Sequence, residues 1–178
     1  MIDGTVVRLR GWQESDLEVI TEMRNDLPLQ AQLLARARGS NVQQVRQWLQ
    51  DRSSNPHRLL LIVASHDNDQ TLGYLLLSDM DNIDRRAELG ICLHAQAQGR
   101  GAGREALTLV KPYLRRVWAL RKLSLRVRSD NASAIACYRR VGFEHCGLMR
   151  QHVNVDGAFH DIVLMELFLE GKDSECVS

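Results

Sequence analysis

Residues 87–106 read Ala-Glu-Leu-Gly-Ile-Cys-Leu, then His-Ala-Gln-Ala-Gln, then Gly99-Arg-Gly-Ala-Gly-Arg-Glu-Ala. An apolar run of strand character passes through a polar link into glycines at every second position, and then into an apolar pattern of helical period. This order predicts a strand, a loop and a helix start. It also constrains the chain strongly. Gly99, Gly101 and Gly103 let the backbone approach a ligand closely. The helix that follows offers free N–H groups and the positive end of its dipole, which favour an anion. Phosphate or pyrophosphate is the expected ligand. Two motifs have to be weighed. Gly101-x-Gly103-x-x-Ala106 also satisfies the dinucleotide fingerprint. A Walker loop is excluded, because Arg104-Glu105 stands where Lys-Ser or Lys-Thr would follow the glycines. A turn that merely caps a helix needs one glycine rather than three.

A chain of 178 residues with 44% hydrophobic content can bury one substantial core, so a single domain is expected over residues 1–170. The polar run 171–178 reads as a disordered tail. Lys and Arg number 23 against 22 Asp and Glu, which gives no electrostatic case for nucleic acid or an anionic membrane. The four cysteines, Cys92, Cys137, Cys146 and Cys176, show no C-x-x-C spacing, and the six histidines include no H-E-x-x-H, so no metal is expected. No apolar run is long enough to span a bilayer, and Met1-Ile-Asp-Gly-Thr5 lacks the parts of a signal peptide. The sequence reads as that of a cytoplasmic protein with reduced thiols.

From the N-terminus, residues 5–9 alternate as a strand, and Leu17, Ile20 and Met23 repeat at helical spacing after Ser15 and Asp16. Leu27-Pro28 interrupts, and 27–39 has no assignable structure. Asn41 then caps a helix with Val42, Val45, Trp48 and Leu49 on one face. Residues 59–64 and 72–77 form a hairpin around the turn composition His66-Asp-Asn-Asp, and 86–93 is the next strand. The helix after the glycines carries the stripe Ala106, Leu107, Val110, Tyr113, Leu114 and Val117, with Pro112 as a place for a kink. Residues 123–127 alternate as a strand. Asp130 or Asn131 caps a short helix that Gly142 ends, its inward positions including Ile135, Ala136 and Tyr138. Strands over 144–153 and 159–169 flank a turn at Asp156-Gly157. The fold class is α/β (α+β): one mixed, mostly antiparallel sheet of about seven strands with about four helices on its faces.

A dinucleotide domain wants its first glycine directly off the strand, but here His94 to Gln98 intervene and an antiparallel meander comes first. Gln98-x-x-Gly101-x-Gly103 after a strand, followed by Asn131, Tyr138 and Gly142-Phe143, instead resembles the GNAT acetyltransferases. The match covers roughly 87–144, and the strand order over 5–169 is similar to that fold. Arg85-Arg86-Ala87-Glu88, together with Asp156-Gly157 and then Asp161, looks most like the branch holding spermidine and ribosomal-protein N-acetyltransferases. The resemblance implies acetyl-CoA as donor, direct transfer to a primary amine, and a cleft where strands 86–93 and 123–127 splay apart. It implies that the amides of Gly99, Arg100, Gly101, Ala102, Gly103 and Arg104, with Gln98 leading in, bind the pyrophosphate. The backbone of Ile91, Cys92 and Leu93 would pair with the pantetheine arm, which needs an exposed strand edge. A homodimer is common among such proteins.

A lysine-type amine, which ordinarily titrates at about 10.4, must lose a proton before it attacks. Glu88 is the best-placed carboxylate, since on its strand it points to the face opposite Ala87, Leu89 and Ile91; an ordinary solvated strand residue is the other reading. By resemblance, Tyr138 protonates the leaving thiolate and Asn131 bonds the cofactor; a core tyrosine and a plain N-cap are the plainer roles. A backbone N–H on the strand 90–93 would polarise the thioester carbonyl. Arg126 and Arg128 suit either phosphates or a solvated strand face. The acceptor pocket would draw on Arg24-Asn25-Asp26 through Arg38, whose Arg36 and Arg38 add positive charge, whereas a polycation site wants clustered carboxylates. A peptide or protein α-amine, an amino sugar or a polyamine is the expected kind of acceptor. Two other classes remain open: a non-catalytic acyl-CoA-binding or sensing domain, and a nicotinamide-dependent oxidoreductase.

Overall fold

Thirteen regular elements build the domain in the computed structural model, which describes residues 1–169. The expected tail at 171–178 lies outside them. The elements are β1 (Ile2–Asp3), β2 (Val7–Arg10), α1 (Leu17–Asn25), α2 (Leu27–Gln32), α3 (Val42–Ser54), β3 (Leu59–Ser65), β4 (Thr71–Asp81) and β5 (Arg86–Leu93), followed by α4 (Ala102–Val117), β6 (Lys122–Arg128), α5 (Ala132–Arg140), β7 (Glu144–Val155) and β8 (Ala158–Phe168). The strands form one sheet in the order β1-β2-β3-β4-β5-β6-β8-β7. The sheet therefore has eight strands rather than seven, because β1, two residues long, is too short to show a period. There are five α-helices rather than four. α2 fills part of the unassigned stretch: the Asp26 side chain accepts from the Leu29 N–H at 2.9 Å, and Pro28 sits in the first turn.

Side chains alternate along each strand, so the sheet carries an apolar cluster on each face. Leu75, Leu89, Leu123, Leu125 and Met165 pack with Ala106, Leu107, Val110 and Leu114 of α4 and with Tyr138 of α5. On the other face, Leu60, Ile62, Tyr74 and Cys92 pack with Ile20 and Met23 of α1 and with Val45 and Leu49 of α3. Two positions expected on buried helix faces lie elsewhere. Val117, in the last turn of α4, is 55% exposed. Ala136 is exposed, because it lies about 200° around α5 from the buried Tyr138. α4 runs as one helix through Pro112.

Two polar features fix the frame. Arg10 and Asp16 are 4% and 0% exposed and face each other as a fork, both N···O distances being 2.9 Å. Thr71 Oγ1 and the Gln13 N–H also donate to Asp16, at 2.5 and 2.6 Å, and Arg10 Nε reaches Asp69 at 3.0 Å. Glu105 in α4 accepts from the N–H groups of Thr5, Val6 and Val7 at 2.7–2.8 Å and from the Thr5 hydroxyl at 2.6 Å. Burial opposes the charge of Glu105, yet these donors hold its carboxyl below the ordinary value. The helix that follows the glycines is thereby tied to the start of the chain.

β5 and β6 are the one parallel pair among the described strands, and they pair only at Arg86–Lys122, Ala87–Leu123 and Glu88–Ser124. Beyond Glu88, β5 keeps its β4 partner as far as Leu93, and beyond Ser124, β6 keeps β8 as far as Arg128, so the two diverge. The other pairs are antiparallel, which removes the repeated parallel units of a dinucleotide domain and with them the nicotinamide reading. No helix of the described residues is long and apolar enough to cross a membrane.

Candidate active site

A cavity of about 870 Å³ opens where β5 and β6 part, reaching from the α4–α5 side of the sheet to the α1–α3 side. Ile91, Cys92 and Leu93 border it from β5, and Gln98, Gly99, Arg100, Gly101, Gly103 and Arg104 from the loop and the start of α4. Asn131, Tyr138 and Glu88 border it too. Ala102 does not; its side chain is 2% exposed in the core under α4, and its backbone alone belongs to the loop. The Cys92 thiol, 1% exposed, lies in the cluster against Tyr74, and burial pushes it up to about 12. Its main chain is what remains for a ligand.

The glycines divide the work of the loop. Gly99 and Gly101 take φ of +73° and +85°, the left-handed region where other residues are strained, and a Cβ at either would meet nothing within 4 Å. Gly103 has ordinary backbone, but a Cβ there would come within 3.2 Å of Leu93 Cδ1, so glycine lets α4 close onto β5. Gln98 Nε2 donates to the Leu93 carbonyl at 2.9 Å, which pins the loop to the end of β5. Arg100, Arg104 and, from α5, Arg140 bring guanidinium groups to this end of the cavity. Arg140 belongs to no motif, so nothing in the sequence singles it out. Since only backbone strain separates alanine from glycine at position 101, Gly101→Ala should weaken binding of the CoA that the resemblance implies about tenfold, measured by calorimetry, for a cost of about 1–2 kcal/mol.

Asn131 caps α5, its Oδ1 accepting from the Ala134 N–H at 3.1 Å. Tyr138 is 8% exposed, with its ring edge against Phe143 at a centroid distance of 5.7 Å. Burial first, then Cys137 and Cys92, push its phenol well above the usual tyrosine value, so it stays protonated and able to donate. Lys111 Nζ reaches the Val141 carbonyl at 2.9 Å and fixes the end of α5 to α4.

At the other end, Glu88 Oε1 accepts from Arg126 Nε at 2.9 Å across the fork. Arg126 therefore faces the carboxylate, while Arg128 forks onto Asp130 at 2.9 and 2.5 Å and is no part of the cavity wall. Glu88 is the one acidic residue lining the cavity among the described residues. Leu29, Leu33 and Leu34, from and beyond α2, join Leu76 and Ser78 of β4 and His152 of β7 around it. Arg36 and Arg38 do not border the cavity. Sequence left these leucines unplaced, because a six-residue helix shows too little period to assign.

The arrangement offers an anion cradle, an open strand edge, a proton donor and a carboxylate within one cavity. The profile of the family described as acetyltransferase (GNAT) domain matches residues 7–144. The spermidine N(1)-acetyltransferase of Escherichia coli K12 is 25% identical, over 91% of this chain and 86% of that enzyme. The N-alpha-acetyltransferase RimI of Mycobacterium tuberculosis is 43% identical over 61 residues, 34% of this chain and 36% of that one. The crystal structure of spermidine N-acetyltransferase from Vibrio cholerae in complex with CoA and spermine superposes with a TM-score of 0.86 at 19% identity, covering 93% of this chain and 97% of that one.

Proposed function

This chain belongs to the acetyltransferase (GNAT) domain family, and on that premise we propose that it moves the acetyl group of acetyl-CoA onto a primary amine by direct attack, both substrates being held together. The observation that carries this reading is the fork: β5 loses its β6 partner after Glu88, beside the glycine loop and Tyr138 and within the same cavity. The residues suit the donor. The left-handed glycines and the first turn of α4 form a backbone cradle for a pyrophosphate, Arg100, Arg104 and Arg140 add positive charge, and the open edge at Ile91, Cys92 and Leu93 suits an extended amide-bearing arm.

Acetyl-CoA, when bound, supplies a thioester whose carbonyl carbon an amine can attack. Glu88, on the acceptor side, takes the proton that the ammonium must lose, directly or through water. The free N–H groups of β5 stabilise negative charge developing on the carbonyl oxygen. Tyr138, kept protonated by burial, gives its proton to the leaving sulfur and regains one from solvent. Asn131 holds the N-terminus of the helix that aims the phenol.

The test is thiol release from acetyl-CoA with a panel of amines: spermidine, peptides with free N-termini, an aminoglycoside and an amino-sugar nucleotide. Release at a turnover of about 1 per second or faster with at least one class is expected. Binding of acetyl-CoA with no release from any amine would reject the reading in favour of an acyl-CoA sensor.

A further inference from the structure

Building on the acetyl-transfer reading above, we infer that the acceptor is an α-amine with a carbonyl oxygen beside it and a branched apolar side chain on the same carbon, not a polyamine. Glu88 and Arg126 form a single opposed pair at the acceptor end. An α-ammonium can share Glu88, and the neighbouring oxygen can take the terminal nitrogens of Arg126, whose Nε is engaged by Glu88. A polyamine spreads several ammonium groups along a flexible chain and needs a carboxylate for each. Among its described residues this cavity offers one, and that one is already paired with Arg126.

On the face to which Glu88 points, the cavity wall carries four leucines beside Gln32, Ser78 and His152. Leu29, Leu33 and Leu76 belong to or pack against the cluster on the face to which Glu88 points, and Leu34 completes their side of the cavity. Leu34 has φ +58°, just past the end of α2, where the Ala35 N–H closes the turn on the Gln30 carbonyl at 3.0 Å. Glycine takes this conformation without steric cost and is the usual residue there, whereas leucine resists it. The Leu34 side chain borders the cavity from a backbone position that glycine would occupy without strain, so its removal tests the wall with little cost to the fold.

The experiment compares kcat/KM at saturating acetyl-CoA for Leu-Gly-Gly, Ala-Gly-Gly, free leucine, an N-terminally blocked lysine peptide and spermidine. One of the two leucine acceptors should exceed Ala-Gly-Gly about tenfold and spermidine about a hundredfold. Free leucine ahead of Leu-Gly-Gly assigns the oxygen on Arg126 to a carboxylate, and the reverse order assigns it to a peptide carbonyl. Leu34→Gly should raise KM for the better leucine acceptor about tenfold, with a much smaller change in kcat and no loss of melting temperature. A merely structural leucine would lower the melting temperature and leave KM alone, which overturns the inference. Spermidine or the blocked lysine peptide as best acceptor overturns it too and leaves acetyl transfer standing, whereas silence from every amine overturns both.

Discussion

Alanine in place of Asp16 should cost the fold about 3–5 kcal/mol, a large share of the roughly 5–15 kcal/mol that holds a domain of this kind together. Arg10 would keep its buried place with only the 39% exposed Asp69 as acid partner, while the Thr71 hydroxyl and the Gln13 N–H would lose their acceptor. Urea unfolding measures the loss. Arg10→Met combined with Asp16→Leu should recover much of it, because the pair's stability lies mostly in not leaving one charge unmatched. A loss below about 1 kcal/mol for Asp16→Ala would mean that water reaches the site and the pair behaves as a surface one. Acid supplies a second reading. Burial alone would raise the Asp16 carboxyl, but the Arg10 fork, Thr71 and Gln13 outweigh it and hold the group below its ordinary range. A depressed value in the folded state means a contribution that is full above about pH 3.9 and fades as pH falls through the folded value. Asp16→Asn should remove that acid-dependent part of stability.

Tyr138→Phe should lower kcat about 100-fold and barely alter the affinity for acetyl-CoA. Phenylalanine keeps the ring and its edge contact with Phe143, so the melting temperature should hold while the proton donor is gone. The opposite pattern, unchanged turnover with a lower melting temperature, would make Tyr138 a core residue and nothing more. The sign of its shift adds a constraint. Because burial raises the phenol, the donor form persists into alkaline pH, and Tyr138 itself should cause no fall in wild-type kcat around neutral pH.

Much of the candidate site's local structure could be read from the chain because it depends on near neighbours. The loop from Gln98 to Arg104 and the set from Asn131 to Phe143 depend on near neighbours: glycines where φ turns positive, a side-chain cap, and a helix end. The parts that escaped are tertiary. Asp16 reads as the opening of a helix, and nothing near it in sequence says that Arg10 and Thr71 will close around it. Arg126 meets Glu88, 38 residues away, only because the parallel register sets Glu88 opposite Ser124. The leucines beyond Asp26 lie in or just after a helix too short for its period to be seen, and Val117 and Ala136 fit an apolar pattern whose phase drifts off the core at a helix end or on an outward face.

Three residue pairs join the half of the sheet that ends in β5 to the half that begins with β6. The slot beyond that joint lies in the plane of the sheet, with Tyr138 on one side and Glu88 on the other. On the proposed function, donor and acceptor would approach from opposite faces of the sheet and meet in the thickness of a single layer of strands. A molecule made by joining donor to acceptor would have to be threaded, one half on each side of the layer, like a cord passed between two boards fastened at one corner.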